Sequence, residues 1–257
     1  MAIMKRINLH ILADKTTKAQ KLRKFLIKSY RNFPAKASDY IVVIGGDGFM
    51  LDSLKNYQKF KKPFYGINTG NRGFLLNKFI HGNLISKIRK SSEIFLFPLE
   101  AKIKTQNKIK KIIAINEVSV FRQSKQTTLL EIQLNKRRKI KGLVGDGILV
   151  ATPAGSTAYN LSAKGPILNL ESKYLAVTPI SPFKPRGWKG TTVSNQSKIL
   201  IKNLDTKKRP VSAVADNIEI KNIKSVEIKL NKSKKFILLY NKKFGLKERN
   251  LAEQSKF

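Results

Sequence analysis

Two short stretches of this 257-residue chain carry residue types that could do chemistry. The first is Gly45-Gly46-Asp47-Gly48, a single carboxylate in a turn with almost no side chains. Glycine permits φ > 0 and lets a bulky ligand rest on main-chain N–H groups, as bound phosphates do. The carboxylate follows the apolar run Tyr40–Ile44, at the carboxyl end of a strand, where open α/β sheets place ligands. The same residues also suit a plain tight turn in which Asp47 caps the next helix, because glycine turns after strands are common. The second stretch is 145–166. There Gly145-Asp146-Gly147 leads into an apolar run, and Thr152-Pro153-Ala154-Gly155-Ser156-Thr157 follows it. Small hydroxyl residues at a helix start can hydrogen-bond an anionic or polar ligand. Ser156 or Thr157 would then lie near the cap, Tyr159 could stack on a ring, and Ser162 would be close by. A well-capped helix with a core tyrosine fits equally well. Asn116–Glu117 is a polar pair inside the apolar run IIAINEVSV. It is either a satisfied edge feature or a ligand-facing pair, and a buried carboxylate needs a partner in both cases.

The elements around these residues follow from periodicity. Tyr40–Ile44 is a continuous apolar run, the mark of a buried parallel strand, and it drops straight into the glycine turn. A helix-compatible run starts at Phe49. Upstream, Ile7–Leu12 reads as a strand. A helix capped at Asp14 or Thr16 follows to about Tyr30, with Ala19, Leu22, Leu26 and Tyr30 on one face. Strand–helix–strand–turn–helix is a βαβα unit with a parallel sheet, and such sheets hold ligands at the carboxyl ends of their strands. Phe64–Ile67 reads as a further strand. The Asn-rich loop after it, with Gly66, Gly70 and Gly73, is a surface loop or a second wall of the same site. Residues 82–90 form a short basic helix. From Glu93 onward, β-rich runs recur at short spacing, including 174–178, 199–201, 211–215, 226–230 and 236–240. That texture predicts an antiparallel sandwich. The expected fold class is an α/β N-terminal domain with a parallel, Rossmann-like sheet over 1–95 and an all-β sandwich over 96–240. A C-terminal helix within 241–257, read at 246–254, returns to the first domain.

Composition narrows the function classes. With no cysteine there are no disulfides or thiolate metal sites, and with only His10 and His81 a histidine-built metal site is not expected. No apolar run reaches the length of a membrane-spanning helix. The N-terminal MAIMKRINLHIL lacks a small-residue cleavage site and reads as a strand, so a cytoplasmic protein is the simplest fit. The net charge of +36 would suit a nucleic-acid binder. However, the basic residues are mostly lysine and are scattered through every segment, which favours solvated lysines over a dedicated nucleic-acid surface. A positive field would still steer small anionic substrates.

The order of these motifs resembles the NAD kinases of bacterial type. The motifs are GGDG at 45–48, GINTGNRGFL at 66–75, NEV at 116–118, GDGILVATPAGSTAYNLSAKGP at 145–166, TPISP at 178–182 and Ala-Asp-Asn at 215–217. GGDG alone is shared with phosphofructokinases and lipid kinases, whereas NE together with TP-x-GSTAYNLS is highly specific. The resemblance implies transfer of the terminal phosphoryl of ATP, or in some members of polyphosphate, to the 2′-hydroxyl of the adenosine ribose of NAD. It implies a phosphoryl-donor domain at 1–95, an NAD-binding sandwich at 96–240, and a homo-oligomer, dimer or tetramer. Asp47 would be the proton acceptor, and Gly45, Gly46 and Gly48 would face phosphates. Asn116 would bind the adenine side and Glu117 the ribose hydroxyls. Thr157, Ala158, Tyr159 and Ser162 would line the adenosine pocket, with Ala154, Gly48 and Phe74 also against the dinucleotide. Asp146 would reach the nicotinamide end, in family members often from a neighbouring subunit. Mg²⁺ or another divalent cation would be held mainly through phosphates, with no dedicated protein ligands. Two residues depart from the pattern: Phe49 stands where the family usually has threonine, and Val144 where many members have arginine. A GGDG-type lipid kinase and a catalytically impaired, basic nucleic-acid-binding protein are the alternatives.

Overall fold

The structure is a computed structural model that describes residues 6–70, 73–79 and 81–241. The chain divides into two compact units, Met1–Leu96 with Lys235–Phe257, and Phe97–Lys234. Among the described residues no helix is long and apolar enough to cross a membrane.

The first unit is built on β1 (Leu9–Ala13), β2 (Tyr40–Gly45), β3 (Phe64–Asn68), β4 (Asn77–Lys78) and β5 (Ser92–Leu96). Strands β1, β2 and β3 pair in parallel. Helix α1 (Thr17–Tyr30) follows β1, and its N-cap is Thr16, whose hydroxyl accepts from the Ala19 N–H. Asp14 accepts in turn from the Thr16 N–H at 2.8 Å and from the Thr16 hydroxyl at 2.5 Å, so both expected cap residues act at this helix start. Ala19, Leu22, Leu26 and Tyr30 join Leu9, Val42 and Ile67 in one apolar cluster, as the helical spacing predicts. Helix α2 (Asp47–Tyr57) leaves the glycine turn, and α3 (Leu84–Lys90) is capped by Asn83.

One assignment needs correcting. The run Phe236–Tyr240, expected in the sandwich, is a strand of the first unit, parallel to β3 and antiparallel to β5. Its sequence FILLY is nearly all buried, which suits an interior strand with both faces covered and not one with a wet face. The sheet is therefore mixed: parallel at β1–β2–β3, with an antiparallel step to β5. The C-terminal helix expected within 241–257 lies outside the described residues, save for Asn241.

The second unit is all-β apart from short helical turns. Its strands are β6 (Leu99–Thr105), β7 (Ile109–Ala114), β8 (Glu117–Arg122), β9 (Thr128–Leu134), β10 (Arg137–Gly145), β11 (Gly147–Ala151) and β12 (Tyr174–Ile180). They continue as β13 (Thr191–Ser194), β14 (Ile199–Asn203), β15 (Val211–Ala215), β16 (Ile218–Ile220) and β17 (Ile223–Leu230). Two antiparallel sheets form, in the orders β10-β9-β14-β17-β6-β7 and β13-β12-β11-β8-β15-β16. Strand β6 alternates buried Leu99, Ala101 and Ile103 with outward Glu100, Lys102 and Lys104, the period of a sandwich strand. Val118, Val120, Ile148 and Val150 from one sheet meet Ile132, Ile201, Val226 and Ile228 from the other in a single core. Strand β11 is buried along its whole length because β8 and β12 flank it and both of its faces are covered.

Candidate active site

In the first unit, Asp47 opens α2, with Gly46 as N-cap. A carboxylate in the first turn of a helix is stabilised by the helix dipole and by N–H groups that have no acceptor inside the helix. The Asp47 side chain does not cap its own helix. Its two oxygens accept from the backbone N–H groups of Phe74 (2.8 Å) and Leu75 (2.9 Å), drawing the 73–76 loop onto the glycine turn. The Tyr240 hydroxyl donates to the Phe74 carbonyl at 2.8 Å. Buried Asn77 donates to the carbonyls of Gly66 and Leu239 and accepts from the Asn241 N–H. The loop after β3 is therefore pinned from below by β3 and by Phe236–Tyr240, and Phe74 is brought to Asp47.

The glycines act differently from the expectation. None of Gly45, Gly46 and Gly48 has positive φ. Gly45 is needed for space, because a Cβ there would come within 2.8 Å of Asp14 Oδ2 and 3.1 Å of the Phe49 ring. At Gly46 and Gly48 a Cβ would meet nothing within 4 Å. That is open room above the start of α2, suited to a ligand lying on the backbone. Phe49 spends its ring across Gly45.

In the second unit, Asn116 and Glu117 do not sit inside one strand. Asn116 lies in the link after β7 and Glu117 begins β8, because the chain turns there to change sheets. The residue that holds this joint was not singled out as a site residue in the sequence. Asp216, in the β15–β16 turn at φ 51°, accepts from the N–H groups of Ile115 (2.8 Å), Asn116 (2.8 Å) and Glu117 (3.4 Å). Its own N–H donates to the Glu117 carbonyl at 3.1 Å. The signal available was its type, a carboxylate within Ala-Asp-Asn just past the expected strand 211–215. With the backbone so fixed, Asn116 Oδ1 is buried with no hydrogen-bond partner among the described residues. Native structures rarely leave such an acceptor empty, and a ligand donor would fill it.

The segment after β11 wraps this joint. Thr152 donates from its hydroxyl to the Ile115 carbonyl (2.7 Å) and from its N–H to the Asn116 carbonyl (2.8 Å). A Cβ on Gly155 would stand 2.2 Å from the Asn116 oxygen, so only glycine lets the 154–157 turn pass there. Neither Ser156 nor Thr157 caps the short helix α4 (Tyr159–Ser162), whose N-cap Ala158 offers no side-chain bond. Ser156 is wholly buried and binds Pro153 and Leu168 through its hydroxyl. Asn160 is a second internal pin, donating to the carbonyls of Ser156 and Pro166 and accepting from the Thr178 hydroxyl at 2.7 Å. These pins leave Ala154 buried, Thr157 and Ala158 half-buried, and Tyr159 and Ser162 exposed.

An open cleft of about 380 Å³ runs over this sheet face, lined among others by Glu117, Ser119, Phe121, Arg122, Tyr159 and Asp216. Burial raises the Tyr159 phenol above its ordinary value, and the charges of Asp146 and Glu117 push it the same way. The ring is thus a neutral donor and a stacking surface, with both carboxylates near enough to be felt. Asp146 is tied to Arg122, which donates to it at 2.6 Å. The second unit therefore assembles Asn116, Glu117, Asp146 and the 154–162 segment, while the first assembles the glycine turn, Asp47 and Phe74.

Comparison with known proteins gives the family. Residues 3–83 match the model of the ATP-NAD kinase N-terminal domain, and residues 115–241 that of the ATP-NAD kinase C-terminal domain. The NAD kinase of Brucella suis biovar 1 is 42% identical over 96% of each chain. The chain belongs to the NAD kinase family. The NAD kinase of Zymomonas mobilis is 43% identical over 98% of each chain. Among solved structures, yeast NADH kinase complexed with NADH superposes with a TM-score of 0.80 at 18% identity, covering 98% of this chain and 89% of that one. An NAD kinase from Archaeoglobus fulgidus in complex with ATP gives 0.71 at 23%, covering 92% and 95%. Those two likenesses establish the fold. The lipid-kinase and nucleic-acid alternatives gain no support from any of these relatives.

Proposed function

We propose that this chain is an ATP-dependent NAD kinase in which Asp47 accepts the proton of the reacting hydroxyl. NAD kinase activity follows from its family. The 2′-oxygen of the adenosine ribose attacks the terminal phosphorus of ATP, the bond from that phosphorus to the bridging oxygen breaks, and ADP leaves. The hydroxyl proton passes to Asp47. Phosphoryl transfer asks the protein mainly for positioning and charge neutralisation. The observation that carries the assignment is the Asp47 carboxylate, held by the Phe74 and Leu75 N–H groups beside the open backbone of Gly46 and Gly48.

In this reading the buried Asn116 Oδ1 accepts from the adenine amino group, and Glu117 takes the ribose hydroxyls. Tyr159 stacks beside them, with Ala154, Thr157, Ala158 and Ser162 around the adenosine. Asp146 serves the nicotinamide end, and Phe74 lies against the dinucleotide. No group of three His, Cys, Asp or Glu side chains able to hold a metal occurs among the described residues. A divalent cation, Mg²⁺, would be carried on the ATP phosphates, where it would neutralise their charge. The enzyme works as a cytoplasmic homo-oligomer, in which the unit of Met1–Leu96 with Lys235–Phe257 takes the phosphoryl donor and Phe97–Lys234 takes NAD.

The test is Asp47→Asn. With ATP, Mg²⁺ and NAD, turnover should fall about 10²–10⁴-fold while NAD still binds. Turnover at the wild-type rate would remove Asp47 from the chemistry.

A further inference from the structure

The carboxyl edge of the parallel sheet holds a second carboxylate besides Asp47. Asp14 follows directly on β1, and its N–H donates to the Ile44 carbonyl of β2 at 2.9 Å. The Thr69 N–H donates to the Gly45 carbonyl at 3.1 Å, so the chains leaving β1 and β3 stay bonded to the end of β2. That edge is where open α/β sheets hold ligands.

The two oxygens of Asp14 are used differently. Oδ1 accepts from the Thr16 N–H at 2.8 Å and from the Thr16 hydroxyl at 2.5 Å. Oδ2 lies over Gly45, where it would stand 2.8 Å from a Cβ on that residue, so the glycine leaves the room that this oxygen takes. No hydrogen bond or ion pair reaches Oδ2 among the described residues. The chain has 52 lysines and arginines against 16 acidic residues, so cations are abundant, and this oxygen is paired with none of them. Asp14 is only half-buried, so a ligand can reach it.

Gly46, the residue after Gly45, begins the open backbone suited to the phosphates of ATP. A bare carboxylate beside phosphates repels them, and more strongly at a protein surface than in bulk water. A divalent cation between the two turns that repulsion into attraction. Mg²⁺ is commonly held by one or two carboxylates together with substrate phosphates, and not by a cage of protein ligands. Asp14 offers a donor of that kind, a hard, unbonded oxygen at the phosphate turn. We infer that Asp14, through Oδ2, is a protein ligand of the divalent cation carried on the ATP phosphates. This rests on the reading above that ATP lies along Gly46 and Gly48, and it adds one protein oxygen to a cation otherwise held by phosphate.

Calorimetric titrations of the full-length protein with ATP, one in Mg²⁺ and one in EDTA without metal, test it. Asp14→Asn keeps an oxygen to accept from Thr16 and removes the charge at Oδ2. It should bind Mg²⁺·ATP about tenfold more weakly than wild type, the loss of one charge-assisted contact. Metal-free ATP should bind at least as tightly as to wild type, because a repelling charge is gone. Asp14→Ser, which also lacks the charge, should show the same opposition between the two forms. A role confined to capping α1 would weaken both forms equally or change neither, and either result would overturn the inference. A wild type that binds ATP but forms no NADP would strike the kinase reading alone, because the two titrations would still decide on Asp14. A wild type that binds neither form of ATP would overturn the placement of ATP and the role of Asp14 with it.

Discussion

Asp216 and Asp47 share a device: each is a carboxylate whose oxygens gather backbone N–H groups from a distant loop. In Asp47 this fixes the carboxylate proposed as proton acceptor; in Asp216 it fixes the backbone that carries Asn116 and Glu117. Removing an acceptor from partly buried N–H groups costs about 1–3 kcal/mol for each group left unsatisfied. Asp216→Ala should therefore lower unfolding free energy by about 3 kcal/mol and weaken NAD binding with it. Asp216→Asn keeps one acceptor oxygen and tolerates positive φ, so it should lose less on both counts. Denaturant unfolding and NAD titration on the two variants check this, and equal effects would mean the carboxylate is not the clamp. Phe49 also has a role at this scale: its ring closes over Gly45 beside Asp14, in a position where a threonine would offer a hydroxyl.

Among the elements, the 154–157 turn is tightly constrained. It must pass over the Asn116 carbonyl, and the gap has no room for one methyl group. Gly155→Ala should force the turn and the Asn116 joint apart. Overpacking of this kind costs about 1–3 kcal/mol, and the shift should raise the KM for NAD more than that for ATP. A variant with wild-type unfolding and kinetics would show that the turn relaxes without touching Asn116. Strand Phe236–Tyr240 matters for a comparable reason. It brings the Tyr240 hydroxyl to the Phe74 carbonyl, so an element far along the chain sets the loop that holds Asp47.

For the molecule as a whole, two features act through charge. The net charge of +36 resides in side chains spread over both units, and it favours the approach of anionic substrates without marking any one surface. Proton binding adds a pH dependence. Burial raises the Tyr65 phenol above its ordinary value, against the opposing hydrogen bond to Asn241. The folded state then keeps that proton after the unfolded chain has begun to lose it, near pH 10. The stabilisation is complete below that pH and is lost as pH rises through the higher folded value. Lysines titrate in the same range, so the measurement is the stability difference between wild type and Tyr65→Phe. It should stay constant to about pH 9.5 and shrink above it. A difference that grows with pH would reverse the sign of the Tyr65 shift.

Local pattern determined a good deal by itself. The apolar run Tyr40–Ile44, the period of α1 and the alternation in β6 declare their structure because each depends on neighbours within a few residues. Type and order of motif likewise declared the family. Tertiary structure alone decided the rest. Phe236–Tyr240 has the composition of any buried strand, and only its partners place it beside β3. Asn116 and Glu117 look like part of one strand, and only the Asp216 clamp, about a hundred residues away in the chain, shows the joint. The glycines at 45 and 155 promise freedom of φ, yet what they supply is clearance for Asp14 and Asn116. Clearance, pairing and clamping are made by residues distant in sequence, so no local pattern can carry them.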